Sequence, residues 1–377
     1  MKKPIKFKPG DYKAWYNRGI ALKNTGRWAE AIAAFDNAIA SKTGYDQAWH
    51  NRGIALSDLG RFEEAIASYD IALKIQPGNR EAWYYRGVAL KNLRRLEEAI
   101  ASFDNAIVLK ANYYQAWNNR GVALKSLGRL EEALACFDKA IESNPHYHQA
   151  WNNRGLIKSE SGDLEAALIC FDKAIEFNPS DYKAWYNRGV VLGNLGRNED
   201  ELVSLETALH IQPDYYLAWY NKGRALENLG RLEPALASYD KAIELKFDYY
   251  QAWDSRGYVL GSLGRYQDEI ACYDKVLQIH PNYYSVWNNR GIALMYLARF
   301  DEAIANYDKA IAIQPNYHPA WYSKACCYAL QGNVELAIKS LKQAIKLNPE
   351  KCIKAAKSES KFGSLRQHKQ FQALLKG

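Results

Sequence analysis

No stretch of this chain approaches 18 consecutive apolar residues, so no segment is long enough to cross a bilayer as a helix. The opening MKKPIKFKPG is charged but has no apolar h-region, which argues against a secretory signal and for a cytoplasmic location. Cysteine is sparse, six residues in 377 (Cys136, Cys170, Cys272, Cys326, Cys327 and Cys352), and there is no C-x-x-C. So few thiols in so long a chain exclude a disulfide framework. The missing pair spacing removes both a zinc ribbon and a thioredoxin-type redox site. P-loop, G-x-G-x-x-G, G-x-S-x-G and H-E-x-x-H motifs are all lacking. The seven histidines are scattered; His146 and His148 share a turn but have no further ligands nearby. Paired carboxylates such as Glu63-Glu64 and Glu97-Glu98 read as a solvated helix face. No catalytic residue, metal site or cofactor is expected, and the chain reads as a non-enzyme.

What the chain does have is a period. Tryptophan falls at 15, 49, 83, 117, 151, 185, 219, 253, 287 and 321, each 34 residues after the last. A repeat of that length decides the fold before any local signal does. Glycine follows four residues after nearly every Trp, from Gly19 to Gly291. Further on, Ala31 or Ala65 precedes a large ring (Phe35, Tyr69) by four residues, and Ala38 or Ala72 follows. Proline closes seven units, among them Pro77, Pro145 and Pro349. Within 114–147, Ala116, Trp117, Arg120, Gly121 and Leu124 fall at helical spacing. Ser126-Leu127-Gly128-Arg129 breaks that pattern. Leu130, Ala133, Leu134, Phe137, Ala140 and Ile141 then form a second apolar face. Each unit is two helices, brought close by Gly121, Ala133 and Ala140, with Trp117 and Phe137 filling the flanks. Asn112 before Gln115, and Asp248 before Gln251, have the spacing of capping boxes. Pro234 falls in the first turn of its helix, where its missing N–H costs nothing.

This pattern is similar to that of the tetratricopeptide repeat (TPR) family. The resemblance covers ten units beginning at 12, 46, 80, 114, 148, 182, 216, 250, 284 and 318, all but 37 residues of the chain. It implies an all-α, right-handed α-α superhelical solenoid of ten helix pairs at 12–351. A basic tail at 1–11 precedes them and capping helices at 352–377 follow, with Phe362, Leu365 and Phe371 among the apolar residues of the cap. A basic docking tail is the alternative for the last segment. Trp15 is numbered as position 4 of its repeat. Position 7, usually Leu in the family, is basic in all ten units, and position 11, usually Tyr, is mostly Leu.

The formal charge of +8 lies wholly in the tails: residues 1–11 carry +3 and 352–377 carry +5, leaving 40 basic and 40 acidic residues between them. Position 25 is acidic in nine repeats, the exception being Lys342 in the last. Pairing within a repeat would set Lys324 against Lys342. Pairing with the next repeat leaves Lys342 with nothing downstream to meet. Ion pairs Asp36–Arg52, Asp138–Arg154 and Asp308–Lys324 are therefore expected, against the alternative of an arginine ladder for phosphates. Cys136, Cys170 and Cys272 share a phase that otherwise holds small residues such as Ala34 and Ser68, and read as small buried packers. Lys158, Asn198, Glu201 and Glu269 break the apolar pattern. They are either drift, with the charge reaching solvent, or a soft joint near the middle of the array.

The first-helix face not used for packing carries Asn at position 6 in seven repeats: Asn17, Asn51, Asn119, Asn153, Asn187, Asn221 and Asn289. Position 5 is mostly Tyr or Asn, including Tyr16, Tyr84, Asn118, Asn152, Tyr186 and Tyr220. The series resembles the asparagine ladder lining the TPR superhelix of O-linked N-acetylglucosamine transferase. By that resemblance these amides grip the main chain of an extended polypeptide, for which an amide's donors and acceptor are suited. At about 1 kcal/mol per hydrogen bond, offset by lost rigid-body freedom, the ladder alone binds weakly. The alternative is that the amides bond to neighbouring helices and only order the stack. The family's carboxylate clamp is absent, since position 9 is apolar (Ile20, Ile54, Val88) and position 5 never holds Lys. Tyr pairs such as Tyr113-Tyr114 read as turn packing. The expected partner is thus a protein or extended peptide, bound by a scaffold or assembly adaptor, with oligomeric state left open. A helical-repeat RNA binder is the rival, resting on Lys13, Lys23, Lys91, Lys125 and Lys183; nucleic acid is disfavoured by the amides between them. A sensor partner of a separately encoded signalling enzyme is a third reading.

Overall fold

The computed structural model describes residues 11–376; residues 1–10, most of the basic N-terminal tail, lie outside the described part. Ten helix pairs follow one another, their first helices starting at the ten positions given above. In repeat 4 the pair is Tyr114–Ser126 and Leu130–Ser143, of 13 and 14 residues. Among the described residues there is no strand, and no helix is long and apolar enough to cross a membrane. The chain is an all-α solenoid of TPR helix pairs with a helical C-terminal cap. It divides into two compact units, 1–191 and 192–377.

Two glycine positions shape each pair. At the turn between the helices the backbone is left-handed, with φ of +71° to +83° at eight glycines. Arg94 and Ala298 stand at the same turn position with φ of 62° and 57°. Four residues after Trp, the glycine lies under a ring of the second helix: a Cβ on Gly121 would be 2.6 Å from Phe137 Cε1. Ala133, Phe137 and Ala140 are wholly buried there. In repeat 10 both partners change together, to Ala325 and Leu341, and both are buried.

The tryptophans do more than fill flanks. In nine repeats the indole Nε1 donates to the carbonyl oxygen six residues earlier, as from Trp83 to Pro77 (3.0 Å) and from Trp151 to Pro145 (2.8 Å). Each ring is half-buried and ties the inter-repeat turn to the helix that follows it.

The expected capping boxes do not form. The N-cap positions are Tyr113 and Tyr249, one residue after Asn112 and Asp248, and neither side chain caps its helix. Those tyrosines pack instead into the seam between repeats: Tyr113 is buried and Tyr249 sits 5.1 Å from the Tyr216 ring. Where the N-cap residue is Asp or Asn it does cap, as Asp11 to Ala14 N and Asn79 to Ala82 N, both at 3.0 Å. Pro234 is the third residue of its helix, as its sequence position requires.

All nine acid–base pairs between consecutive repeats are present, from Arg52–Asp36 (2.7 Å) through Arg154–Asp138 (2.8 Å) to Lys324–Asp308 (2.5 Å). The same guanidinium reaches a second acceptor in its own repeat. Arg52 Nη1 donates to Ser68 Oγ at 2.7 Å and Arg120 Nη1 to Cys136 Sγ at 2.9 Å. The in-phase cysteines are thus buried packers that also accept from arginine. Burial pushes the Cys136 thiol up while the Arg120 guanidinium pulls against it.

Glu201 and Glu269 do not reach solvent, so drift with an exposed charge is wrong for them. They are 5% and 7% exposed. Each carboxylate lies where the helix opposite has lost its side chain: a Cβ on Gly193 would be 2.5 Å from Glu201 Oε2, and one on Gly261 2.6 Å from Glu269 Oε2. Glutamate for alanine in one helix is matched by glycine in the other.

The C-terminal segment folds as a helix (Pro349–Ser358), a 3-10 turn (Ser360–Leu365) and a short helix (Lys369–Leu374). The first begins at Pro349, capped by Asn348, rather than at 352. Ala356, Phe362, Leu365 and Phe371 are buried in one cluster with Cys326, Cys327 and Leu341 of repeat 10. That apolar face packs against repeat 10.

Candidate functional site

The position-6 asparagines fall into distinct environments. Asn17 is exposed; Asn51 and Asn221 are buried; Asn119, Asn153, Asn187 and Asn289 are half-buried. Asn51 Nδ2 donates to Tyr16 Oη (3.2 Å) and to the Gln47 carbonyl (3.0 Å), while its Oδ1 accepts from Lys23 Nζ at 2.7 Å. Asn119 repeats this arrangement with Tyr84, Gln115 and Lys91. In both, a lysine and a tyrosine of the preceding repeat hold the amide. Where position 5 is asparagine the partner changes. Asn153 Nδ2 donates to Asn118 Oδ1 at 2.9 Å, and Asn187 Nδ2 to Asn152 Oδ1 at 3.0 Å. Asn221 Nδ2 donates to the Leu217 carbonyl, and Asn289 Oδ1 accepts from Asn288 Nδ2 at 3.4 Å.

The tyrosines are walls and struts. Tyr16 packs on Phe35 and Tyr45, Tyr84 on Phe103 and Tyr113, and Tyr220 on Tyr239 and Tyr249. Burial raises the Tyr84 hydroxyl to about 12, so at neutral pH it is an uncharged acceptor for Asn119. Tyr186 is half-buried.

Within 1–191 these residues border one cavity of about 610 Å³. Tyr84, Asn119 and Asn153 contribute to it from the expected set, joined by Asn118, Asn152, Gln149 and Asn178. Lys91, Lys183 and Asp181 supply charge, and His148 is held between Asp181 (Nδ1, 3.2 Å) and Asn178 (Nε2, 3.4 Å). Asn17, Asn51, Asn187, Asn221, Tyr16, Tyr186 and Tyr220 do not line it; Asn289 lines a separate cavity within 192–377. The position-5 asparagines are as central as those at position 6, and their coincidence in consecutive repeats (Asn118, Asn152) was the available signal. An asparagine side chain has two donor hydrogens and an acceptor oxygen. The Asn118–Asn153 and Asn152–Asn187 bonds each use one valence per side chain, whereas Asn119 spends two donors and its oxygen within the fold.

Of the lysines that could serve a phosphate backbone, Lys23 and Lys91 are bonded to asparagine, and Lys125 is paired with Glu160 at 2.7 Å. The position-7 series is paired with carboxylate, which removes the arginine ladder as a phosphate site. Among the described residues, no three His, Cys, Asp or Glu side chains converge as for a metal.

Tetratricopeptide repeat models match residues 12–42, 50–114, 114–147, 148–181, 170–202, 216–249, 284–317 and 318–351. A protein prenyltransferase alpha subunit repeat model matches 266–297. No curated protein matches the chain. Among solved structures it is similar to YrrB, a TPR protein with an unusual peptide-binding site, at 28% identity and a TM-score of 0.46. That match covers 50% of this chain and 97% of YrrB. MamA from Desulfovibrio magneticus RS-1 is 22% identical with a TM-score of 0.43, over 46% of this chain and 99% of MamA. A tetratricopeptide repeat protein from Parabacteroides merdae ATCC 43184 is 18% identical with a TM-score of 0.48, over 70% and 97%. With the 34-residue period, the helix pairs and repeat models over most of the chain in agreement, the chain belongs to the tetratricopeptide repeat family.

Proposed function

We propose that this protein is a non-catalytic scaffold that binds extended polypeptide through the amide-lined cavity of its first unit. The observation that carries the reading is the convergence of Asn118, Asn152 and Asn153, with Asn119 bracing them, on one open, mainly polar cavity. Amides at one-repeat spacing present donors and acceptors together, which suits a peptide main chain whatever its sequence. Asn153, which lines the cavity, and Asn187, which is bonded to the lining residue Asn152, each spend an Nδ2 bond on another amide and are the rungs with most capacity left. Asn51 and Asn119 brace the face rather than contact the ligand. Asn17, Tyr16 and Tyr186 lie outside the cavity in the same unit, and Asn221, Tyr220 and Asn289 hold the equivalent repeat positions within 192–377. Lys183 and Asp181 at its rim would add side-chain preference. Six unpaired thiols suit a reducing, cytoplasmic setting.

Selection of displayed ten-residue peptides on the full-length protein tests this. Peptides recovered should lose about tenfold in affinity on the double variant Asn153→Ala, Asn187→Ala, whose helical signal and melting temperature should match the parent's. Peptides that bind the variant as tightly as the parent would show that these amides serve the stack alone.

A further inference from the structure

Within 192–377 a second cavity, of about 380 Å³, lies over the buried carboxylate of repeat 8. Glu269 lines it together with Gly261, Tyr258, Tyr266 and Tyr296. Eight of the ten repeats hold alanine where Glu269 stands. A buried carboxylate is costly unless something compensates it. The Tyr273 hydroxyl supplies one hydrogen bond, and burial still raises Glu269 to about 7. Gly261 makes room for the carboxylate, and both line the cavity; every other repeat except repeat 6 has a side chain at the glycine's position.

The rings are placed as unusually as the acid. Tyr258 and Tyr296 are 59% and 52% exposed, although both are large and largely apolar. Tyr266 and Tyr296 stack with centroids 4.8 Å apart and planes 5° from parallel. One ammonium already sits by this cluster: Lys361 Nζ is 5.6 Å from the Tyr296 centroid, held by Glu359 at 3.2 Å, and it does not line the cavity. Repeat 6 provides the contrast. Glu201 is equally buried, but the positions of the stacked tyrosines hold Asn198 and Asn228, which bond to each other at 3.4 Å. Glu201 also feels the Arg224 guanidinium, where the equivalent residue near Glu269 is Ile292; repeat 8 sets aromatic rings around its carboxylate in place of a cation.

We propose that this cavity is a binding site for an alkylammonium group, with Glu269 as counter-ion and Tyr258, Tyr266 and Tyr296 as its walls. An anion would meet the carboxylate, and a neutral apolar ligand would bury it unpaired. A compact ammonium satisfies it and takes cation–π attraction from the rings. The stacked pair closes its facing surfaces to a planar guanidinium. This site is independent of the amide cavity, so either can fail without the other.

Titration of the full-length protein at pH 8 with Nα-acetyl-lysine methylamide, n-butylammonium and the neutral Nα-acetyl-norleucine methylamide tests it, read by shifts of the tyrosine ring resonances. The two cations should saturate in the millimolar range and the neutral compound should not. Glu269→Gln should weaken cation binding about tenfold. Tyr258→Ala, an exposed position that leaves folding intact, should weaken it several-fold, while Glu201→Gln leaves it unchanged. Tighter binding of the lysine derivative identifies a protein side chain as the source; equal binding identifies a free amine. Absence of saturation by the cations, equal binding of the neutral compound, or indifference to both Glu269→Gln and Tyr258→Ala overturns the proposal.

Discussion

A methyl group at Gly121 would need the space the Phe137 ring already fills, since its carbon would fall 2.6 Å from Cε1. Gly121→Ala should therefore destabilise the protein by about 2 kcal/mol in chemical denaturation, the usual scale of overpacking. At the turns the effect is reversed. Arg94 and Ala298 occupy left-handed backbone that their eight counterparts occupy with glycine. Left-handed φ costs a side-chain-bearing residue roughly 1–2 kcal/mol, so Arg94→Gly and Ala298→Gly should each raise stability by about 1 kcal/mol. The buried glutamates make stability depend on pH. Burial raises both to about 7 from an ordinary value of 4.5. Their protonated form is favoured by folding, so the contribution is complete at low pH and is lost as pH rises through 7. The loss is of order 3 kcal/mol per site. The double variant Glu201→Gln, Glu269→Gln should have a flatter stability profile between pH 5 and 8 than the parent. Their burial was legible in the sequence, since Gly193 and Gly261 stand eight residues before the two glutamates and nowhere else in the array. A helix read by itself shows an acid on an apolar face; only the facing residue shows the space for it.

Between elements, the arginine at position 7 is a clamp. Arg154 reaches Asp138 of the preceding repeat at 2.8 Å and Cys170 of its own at 3.1 Å. Its side chain is 27% exposed and that of Asp138 is 48% exposed, so the ion pair is largely hydrated on one side. A double-mutant cycle between Arg154→Met and Asp138→Ala should give a coupling of about 1 kcal/mol or less. Arg154→Met alone should cost more, through lost packing and an unpaired thiol partner. The pairing across repeats was legible because Lys342 breaks the acidic series in the last repeat, where no following base exists. The helix starts were legible only to within a residue. Asn112 has the sequence of a cap, but the packing of Tyr113 into the seam sets the boundary one residue on. The buried acids also mark two second helices, Asn198–Ile211 and Tyr266–Ile279, as locally weaker once charged. Amide hydrogen exchange, corrected for intrinsic rate, should show their protection falling relative to Leu232–Leu245 as pH is raised through 7. Unchanged relative protection would leave no basis for a soft joint there.

At the scale of the molecule, repetition made the fold readable and the site hard to read. A 34-residue period fixes the helix pairs because each pair buries its apolar face only against its neighbours. The same period makes every asparagine at position 6 look alike. The environments of Asn51, Asn119, Asn153 and Asn187 diverge because each bonds to position 5 of the preceding repeat, Tyr for the first two and Asn for the others. Charge separates in the same way: the array is neutral, its position-7 bases from Arg52 to Lys324 paired with carboxylates, and the excess of +8 belongs to the ends. A neutral, amide-rich face suits a polypeptide main chain, and that claim has a direct test. For a peptide selected on the native protein, each backbone amide is methylated in turn and the affinity is measured by calorimetry. Main-chain recognition predicts losses of about tenfold at two or more positions, shrinking on the Asn153→Ala, Asn187→Ala background. Affinity unmoved by methylation at every position would contradict it.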